Sequence, residues 1–199
     1  MVSCVLLCAG YSSRFGSPKA LAVLGGLRLI EKFQNILIAS DLNEVIVVLG
    51  AHSADIEPYL LKHKKIKVVY NKDYNLGQTS SFKAALRAVS PSSQGIMLLP
   101  VDFPLIQAAT INSLVNEFNR LKQKPLILIP TFQNKKGHPP IFHQSLAKEM
   151  GALKDEEGIN TIVHRCADKV QLCPVTDEGI LLSFNTREEL AEISRRKVA

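Results

Sequence analysis

The sequence predicts an α/β fold of three layers, in which helices cover both faces of a mainly parallel sheet. Short apolar runs rich in Val, Ile and Leu alternate with longer segments whose apolar residues recur at helical spacing. This alternation is typical of parallel strands joined by crossover helices. The 199 residues suit a single domain over positions 1–199, because neither an internal repeat nor a linker divides them.

The elements can be placed in order along the chain. The predicted strands share a run of apolar, often β-branched residues and lie at 2–8, 44–49, 66–70, 96–101, 126–130, 170–175 and 180–184. The predicted helices lie at 29–40, at 52–62, from the end of a polar loop at 71–81 to about 89, and at 107–122, 144–150, 158–165 and 187–196. Pro58 should break or kink the second of these helices, and Thr186 is the predicted N-cap of the last.

Composition narrows the class of protein. Hydrophobic residues make up 46% and charged residues 21%, as in ordinary globular proteins. No apolar run approaches the roughly 20 residues of a membrane span, and we expect a cytoplasmic protein without a membrane partner. The net charge of +6 suits anionic ligands such as nucleotides. Nucleic acid is not expected as a partner, because the basic residues are spread along the chain and the cluster at 62–67 suits a solvated helix end.

The four cysteines are expected to be structural. They include no C-x-x-C pair, which argues against a disulfide framework or a zinc site. Cys4 and Cys8 should face the same side of the first strand and pack in the core.

The loop that follows the first strand is suited to binding phosphate. Its small residues are Gly10, Ser12, Ser13 and Gly16. They leave backbone N–H groups open to an anion, and Arg14 and Lys19 add two positive charges. The spacing matches neither a Walker loop nor a G-x-G-x-x-G dinucleotide fingerprint. The alternative is a polar turn with two solvated charges.

Two further loops should reach the same edge of the sheet, because ligands bind beyond the carboxyl ends of parallel strands. Asp102 follows the fourth strand in a stiff turn between two prolines, where a carboxylate can bind Mg²⁺ beside a phosphate. Helix capping is the alternative role for Asp102. The loop after the third strand carries amides and hydroxyls that can bind a nucleobase: Asn71, Asn75, Gly77, Gln78, Thr79, Ser80 and Ser81. Its alternative role is capping of the next helix by Thr79 or Ser80.

His138 lies at the tip of the polar excursion at 133–138. A histidine beside a glycine at such a tip can contact a substrate phosphate. A lone histidine is more often structural or simply exposed, and both interpretations stay open from the residues alone.

The ordered motifs resemble a known family. The run from Leu7 to Lys19 resembles the L-x-A-G-x-S-x-R-[FM]-G-x-x-K signature of nucleotidyltransferases. Gly77-Gln78-x-x-Ser81, Pro100-Val101-Asp102-x-Pro104-Leu105 and Gly137-His138-Pro139-x-x-Phe142 follow in the same order as in that family. Together they resemble the MobA-like nucleotidyltransferases, and within them the branch that contains molybdenum cofactor cytidylyltransferase.

The resemblance implies a Rossmann-like nucleotidyltransferase fold and Mg²⁺-dependent transfer of a nucleoside monophosphate from an NTP, with release of pyrophosphate. The acceptor would be the molybdopterin cofactor, and a molybdoenzyme would be a partner. The implied catalytic residues are Arg14, Lys19 and Asp102. The implied nucleotide site comprises Ala9, Gly10, Ser12, Ser13, Arg14, Lys19, Asn71, Gly77, Gln78 and Ser81, with His138 on the acceptor side. Ala9 stands where guanylyl-transferring relatives usually carry Gly, which favours CTP over GTP.

Two departures from the family pattern concern the metal and the acceptor. Ser183-Phe184-Asn185-Thr186 replaces the usual D-x-D-T, so that only the Asn185 amide oxygen is left to join Asp102 as a metal ligand. The segment at 156–160 lacks the arginine of G-D-x-G-x-R. The rival hypotheses are therefore transfer to a sugar phosphate or another small phosphate, and a non-catalytic cofactor carrier. A dehydrogenase is disfavoured because the dinucleotide fingerprint is missing.

Overall fold

The computed structural model describes residues 1–122 and 125–196, so the last three positions of the predicted domain lie outside it. The strands are β1 (Val2–Cys8), β2 (Val23–Leu24), β3 (Leu27–Arg28), β4 (Glu44–Leu49), β5 (Ile66–Tyr70), β6 (Gly95–Pro100), β7 (Ile127–Phe132), β8 (Lys135–Lys136), β9 (Ile141–His143) and β10 (Val170–Pro174). The helices are α1 (Leu29–Ala39), α2 (Ser53–Ile56), α3 (Gln78–Leu86), α4 (Ala108–Arg120), α5 (Ala147–Gly151), α6 (Asn160–Arg165) and α7 (Arg187–Arg196).

Eight strands form one mixed sheet in the order β10-β7-β9-β6-β1-β4-β5, with β8 paired to β7. The β6-β1-β4-β5 pairs and the β10-β7 pair are parallel. The short strand β9 is antiparallel to both of its neighbours, β6 and β7. The carboxyl ends of β1, β4, β5, β6 and β7 therefore meet at one edge. The predicted mostly parallel α/β fold is confirmed.

The two faces of the sheet bury separate apolar layers. Alternate residues of β1 point to opposite faces, with Cys4 and Cys8 on one side and Val5 and Leu7 on the other. Helices α1, α4 and α7 cover the first face, and α3, α5 and α6 cover the second. Each fully buried large apolar side chain contributes roughly 1.5–3 kcal/mol. Cys4 and Cys8 are buried free thiols, as expected, and burial raises the pKa of both.

The predicted helix at 52–62 is wrong in its second half, while the break predicted at Pro58 is confirmed. Helix α2 ends at Ile56, and a 3₁₀ turn over Glu57–Tyr59 contains Pro58. Proline cannot donate the backbone hydrogen bond that would continue an α-helix. The basic cluster at 62–67 is consequently not a helix end. Its Lys65 Nζ donates to the carbonyls of Ile38 and Ser40, where α1 terminates.

The predicted strand at 180–184 is also wrong, since residues Glu178–Leu181 form a 3₁₀ helix. The Asp177 carboxylate accepts from the Gly179 N–H at 2.9 Å and starts this turn. Its other oxygen accepts from Gln107 N–H at 3.0 Å and caps α4. Asp177 thus has the capping role that the sequence left open for Asp102.

The remaining helix ends follow from local contacts. The Thr186 hydroxyl accepts from Glu189 N–H at 3.2 Å, which confirms Thr186 as the cap of α7. Helix α3 begins earlier than predicted, at Gln78, and its N-cap is Gly77 without a side-chain hydrogen bond. Capping of α3 by Thr79 or Ser80 is therefore wrong. Among the described residues, no helix is both long enough and apolar enough to cross a membrane.

Candidate active site

The loop after β1 is folded by the side chain and carbonyl of Ser12. The Ser12 carbonyl accepts from the N–H groups of Phe15 and Gly16 at 2.9 and 3.0 Å. The Ser12 hydroxyl accepts from Lys19 N–H at 3.1 Å. Both ends of the loop are thus tied to one residue, which brings the Lys19 side chain back over the end of β1.

Lys19 donates all three of its ammonium hydrogens to protein oxygens. The acceptors are Asp102 Oδ2 at 3.1 Å, the Phe184 carbonyl at 2.7 Å and Asn185 Oδ1 at 3.0 Å. The Lys19 side chain is only 13% exposed, and its ammonium lies 5.2 Å from the centre of the Phe184 ring. Asn185 Oδ1 also accepts from Arg14 Nη2 at 2.9 Å. One amide oxygen therefore binds both predicted triphosphate-binding cations.

Asp102 lies just beyond the end of β6, one of the central strands of the sheet, and belongs to this cluster through its contact with Lys19. Its backbone carbonyl accepts from Phe184 N–H at 3.1 Å. While Oδ2 binds Lys19, Oδ1 is buried and has no hydrogen-bond partner among the described residues. A buried oxygen of this kind is costly unless a ligand satisfies it. This unsatisfied oxygen distinguishes Asp102 from a purely structural ion-pair partner.

A cavity of about 490 Å³ opens over the end of β1. Most of the predicted site residues line it: Ala9, Gly10, Ser12, Ser13, Arg14, Lys19, Gly77, Gln78, Ser81, Asp102 and Asn185. The charged groups gather at one end, around Asp102. The amide and hydroxyl groups of Gln78 and Ser81 belong to α3, which supplies a different part of the wall. Three separate loops, as predicted, contribute to one cavity.

Asn71 does not line the cavity but supports the part of its wall that α3 forms. Its amide nitrogen donates to the hydroxyls of Ser80 and Ser81 at 3.0 Å each, and its oxygen accepts from Asp73 N–H at 3.0 Å. Asn71 is buried and orients the Ser81 hydroxyl. A direct contact between Asn71 and a nucleotide stays a prediction.

His138 lies next to the cavity and is packed against Phe103. The two ring centres are 4.3 Å apart and the ring planes meet at 30°. The His138 backbone N–H donates to the Ile180 carbonyl at 2.9 Å. Gly137 allows this close approach, because a Cβ there would lie 2.5 Å from the same carbonyl oxygen. Burial lowers the pKa of His138, and the Asp102 carboxylate opposes that shift. A role for His138 on the acceptor side stays a prediction.

Three groups in or beside the cavity were missed by sequence reasoning. Tyr11 and Tyr74 line it together, with ring centres 5.2 Å apart in an edge-to-face arrangement. The Phe184 carbonyl binds Lys19. A backbone carbonyl carries no signal in the sequence, whereas Tyr11 stands inside the motif, at a position where the family pattern allows any residue.

The cavity, the cation cluster and the unsatisfied carboxylate oxygen define an α/β protein with a polar, cation-lined cavity at the carboxyl edge of its parallel strands. The chain belongs to the family described as the MobA-like NTP transferase domain, whose model matches residues 4–170. The fold is accordingly the Rossmann-like nucleotidyltransferase fold that the motifs implied.

Individual relatives are similar over nearly the whole chain. Nicotine blue oxidoreductase of Paenarthrobacter nicotinovorans is 26% identical, over 95% of this chain and 94% of the relative. The crystal structure of a homologue of Mycobacterium tuberculosis Rv0371c from Mycobacterium sp. strain JC1 is 26% identical and has a TM-score of 0.85, covering 99% of this chain and 96% of that one. Rv0371c itself, in a complex with manganese, has a TM-score of 0.80 at 21% identity, with 98% of each chain covered.

Proposed function

We propose that this protein transfers a nucleoside monophosphate from an NTP, with CTP favoured over GTP, to a phosphate-bearing acceptor, and releases pyrophosphate. The favoured acceptor is the molybdopterin cofactor. The observation that carries the proposal is the convergence of Arg14, Lys19, Asp102 and Asn185 at one end of a cavity that Gln78 and Ser81 also line. Cations next to a carboxylate with an unsatisfied oxygen suit a triphosphate with its metal, while amide and hydroxyl groups suit a base.

The reaction needs positioning and charge stabilisation more than a base. An oxygen of the acceptor phosphate forms a bond to the α-phosphorus, and the bond from that phosphorus to the oxygen bridging to the β-phosphorus breaks. The acceptor oxygen is already ionised, so no side chain has to remove a proton. Arg14 and Lys19 hold the polyphosphate and stabilise the charge that moves onto pyrophosphate. This agrees with a cavity that offers cations and one carboxylate.

The residues present fit a divalent cation. Asp102 Oδ1 is buried without a hydrogen-bond partner among the described residues. The Asn185 amide oxygen would be a second hard ligand once its contacts to Lys19 and Arg14 are released. Mg²⁺ commonly takes one or two protein oxygens together with substrate phosphates and water, so the missing carboxylates at 183 and 185 do not rule it out. When bound, Mg²⁺ would supply Lewis-acid stabilisation of the phosphoryl oxygens. The manganese complex of Rv0371c supports a divalent metal in this fold.

The nucleotide and the acceptor are assigned from the sequence motifs. CTP is favoured through Ala9, which lines the cavity. The molybdopterin acceptor, and a molybdoenzyme that receives the product, rest on the order of the motifs. Because Asn160, Ser183 and Asn185 depart from the family pattern, a sugar phosphate is the alternative acceptor. The cytoplasmic location expected from composition is part of the same proposal.

A pyrophosphate-release assay tests the proposal. The protein and Mg²⁺ are combined with CTP, GTP, ATP or UTP and with molybdopterin cofactor or sugar phosphates, and release is measured for each pair. CTP with molybdopterin should give the fastest release. Lys19→Met should abolish it, and Lys135→Met, which removes an exposed charge from β8, should not. Binding of nucleotide without release for any pair would refute transfer and favour a cofactor carrier.

The similarity to nicotine blue oxidoreductase favours one second candidate, an oxidoreductase. A dinucleotide site would have to form without the G-x-G-x-x-G fingerprint. Oxidation of NADH or NADPH, followed by absorbance with quinone-type dyes as electron acceptors, tests this candidate. Dye-dependent oxidation that Lys19→Met leaves intact, together with no pyrophosphate release, would replace the transferase proposal.

A further inference from the structure

An aromatic pair forms part of the cavity wall and has no role in the charge chemistry described above. Tyr11 and Tyr74 line the cavity and meet edge to face. Loss of solvation raises the pKa of the Tyr11 phenol, and its contact with Tyr74 raises it further. The two rings form a polarisable surface in a cavity that is otherwise rich in cations and backbone groups.

Tyr11 is held in place by its backbone, while its ring stays open. His52 Nε2 donates to the Tyr11 carbonyl at 3.0 Å. Its neighbour Tyr74 packs closely against the backbone of Gly50, where an added Cβ would lie only 2.7 Å from the Tyr74 Cβ. Even so, Tyr11 remains 52% exposed. A large aromatic ring on an anchored backbone, left half open at a cavity, is placed to meet a ligand rather than to fill the core.

The position of the pair in the chain indicates which part of a ligand it would meet. Tyr74 is followed by Asn75, Gly77 and Gln78, which line the same cavity. The charged cluster is formed instead by the loop from Arg14 to Lys19 and by Asp102 and Asn185. Tyr11 itself follows Gly10 in the phosphate-binding loop, but its ring meets Tyr74 and so lies beside the segment that carries these hydrogen-bonding groups.

We propose that the ring of Tyr11, supported by Tyr74, is the stacking surface for the nucleobase, and so a base-binding residue of this site. The inference rests on the proposed function, because it assumes a nucleotide in the cavity. Every base offers a π-face, so stacking adds affinity for any nucleotide. Discrimination between bases is left to hydrogen bonds from groups such as Gln78 and Ser81.

The experiment separates binding of the base from binding of the phosphates. Dissociation constants for CTP and for inorganic tripolyphosphate are measured by isothermal titration calorimetry with wild type, Tyr11→Leu and Tyr11→Phe. Tyr70→Leu is the matched control, because Tyr70 is 50% exposed on the edge strand β5 and does not line the cavity. Thermal melting verifies that each variant is folded.

Tyr11→Leu should weaken CTP binding by about fivefold or more, as expected for the loss of one base–aromatic stack. Its affinity for tripolyphosphate should not change, Tyr11→Phe should bind CTP as wild type does, and Tyr70→Leu should have no effect. The chain contains four tyrosines and no tryptophan, so CTP should also quench the tyrosine emission of wild type more than that of Tyr11→Phe.

Two sets of results would overturn the inference alone. Undiminished CTP binding by Tyr11→Leu would show that the ring makes no stack, and equal losses for CTP and tripolyphosphate would show that Tyr11 only shapes the loop. A wild-type protein that binds tripolyphosphate but no NTP would overturn both this inference and the proposed function. NTP binding and turnover with a silent Tyr11→Leu would leave the proposed function intact.

Discussion

Replacing Asn185 by Asp tests how the neutral amide controls the cation cluster. The carboxylate of Asn185→Asp would keep the contacts to Lys19 at 3.0 Å and Arg14 at 2.9 Å and add a negative charge. A hydrogen bond to a charged acceptor is stronger than one to a neutral acceptor by about 1 kcal/mol. We assign this gain to the largely buried Lys19. For the contact to Arg14 we take about half of this free-energy gain, because solvent screens the charge of that exposed side chain.

Tighter holding of the cations should weaken nucleotide binding. All three hydrogens of the Lys19 ammonium already bind protein oxygens, so a phosphate has to displace at least one of these contacts. The combined gain of about 1.5 kcal/mol corresponds to roughly tenfold weaker binding of CTP in EDTA. Mg²⁺ should restore much of this loss, since Asn185→Asp adds a carboxylate ligand for the metal.

Isothermal titration calorimetry with CTP, in EDTA and in Mg²⁺, measures both effects. Asn43→Asp is the control for charge alone. It precedes β4 at the opposite edge of the sheet, is exposed, and should change the CTP dissociation constant by no more than about twofold because salt screens distant charges. Equal affinities of wild type and Asn185→Asp in EDTA would refute the idea that the cations must be released.

Three further predictions concern catalysis, packing and pH. Asp102→Ala should slow pyrophosphate release by about 100-fold or more while the protein still melts cooperatively; unchanged turnover would contradict a metal-binding role. Gly137→Ala should cost about 1–3 kcal/mol of unfolding free energy in urea, because its Cβ would lie 2.5 Å from the Ile180 carbonyl oxygen, whereas Gly151→Ala, with open space, should cost nothing measurable. Burial would raise the pKa of Glu44, but hydrogen bonds to its carboxylate outweigh this and lower the pKa below 4.5. The stability from that charge is present above pH 4.5 and lost as the pH falls through the folded-state pKa. In urea denaturation at a series of pH values, the free energy of unfolding of Glu44→Gln should therefore fall less steeply in acid than that of wild type.

The central strands and the cavity loops could be predicted because they depend on local, repeated signals. Strands β1, β4 and β6 are buried on both faces, and such strands read as continuous apolar runs. The loop from Gly10 to Lys19 and the turn at Asp102 follow directly from two of them. The rule that parallel strands present their carboxyl ends together then places both at one site.

The strand predictions failed where a tertiary contact decided the local structure. Residues 180–184 have the apolar pattern of a strand. Ile180 and Phe184 are buried in the core, however, and Asp177 starts a 3₁₀ turn between α4 and the loop at 137–138. Strand β9 was not predicted, since its three residues form a strand only by inserting between β6 and β7. Neither contact can be read from spacing along the chain.

The cation cluster joins residues from opposite parts of the chain, since 171 positions separate Arg14 from Asn185 and 166 separate Lys19 from Asn185. On the ribosome, the phosphate-binding loop and the whole central sheet are synthesised well before the segment at 184–185 that holds the two cations in place. A chain stalled or cleaved before that segment keeps β1 to β10 and Asp102, but lacks two of the three oxygens that bind the Lys19 ammonium. The final position of the Lys19 ammonium is therefore reached only after residues 184 and 185 have been synthesised.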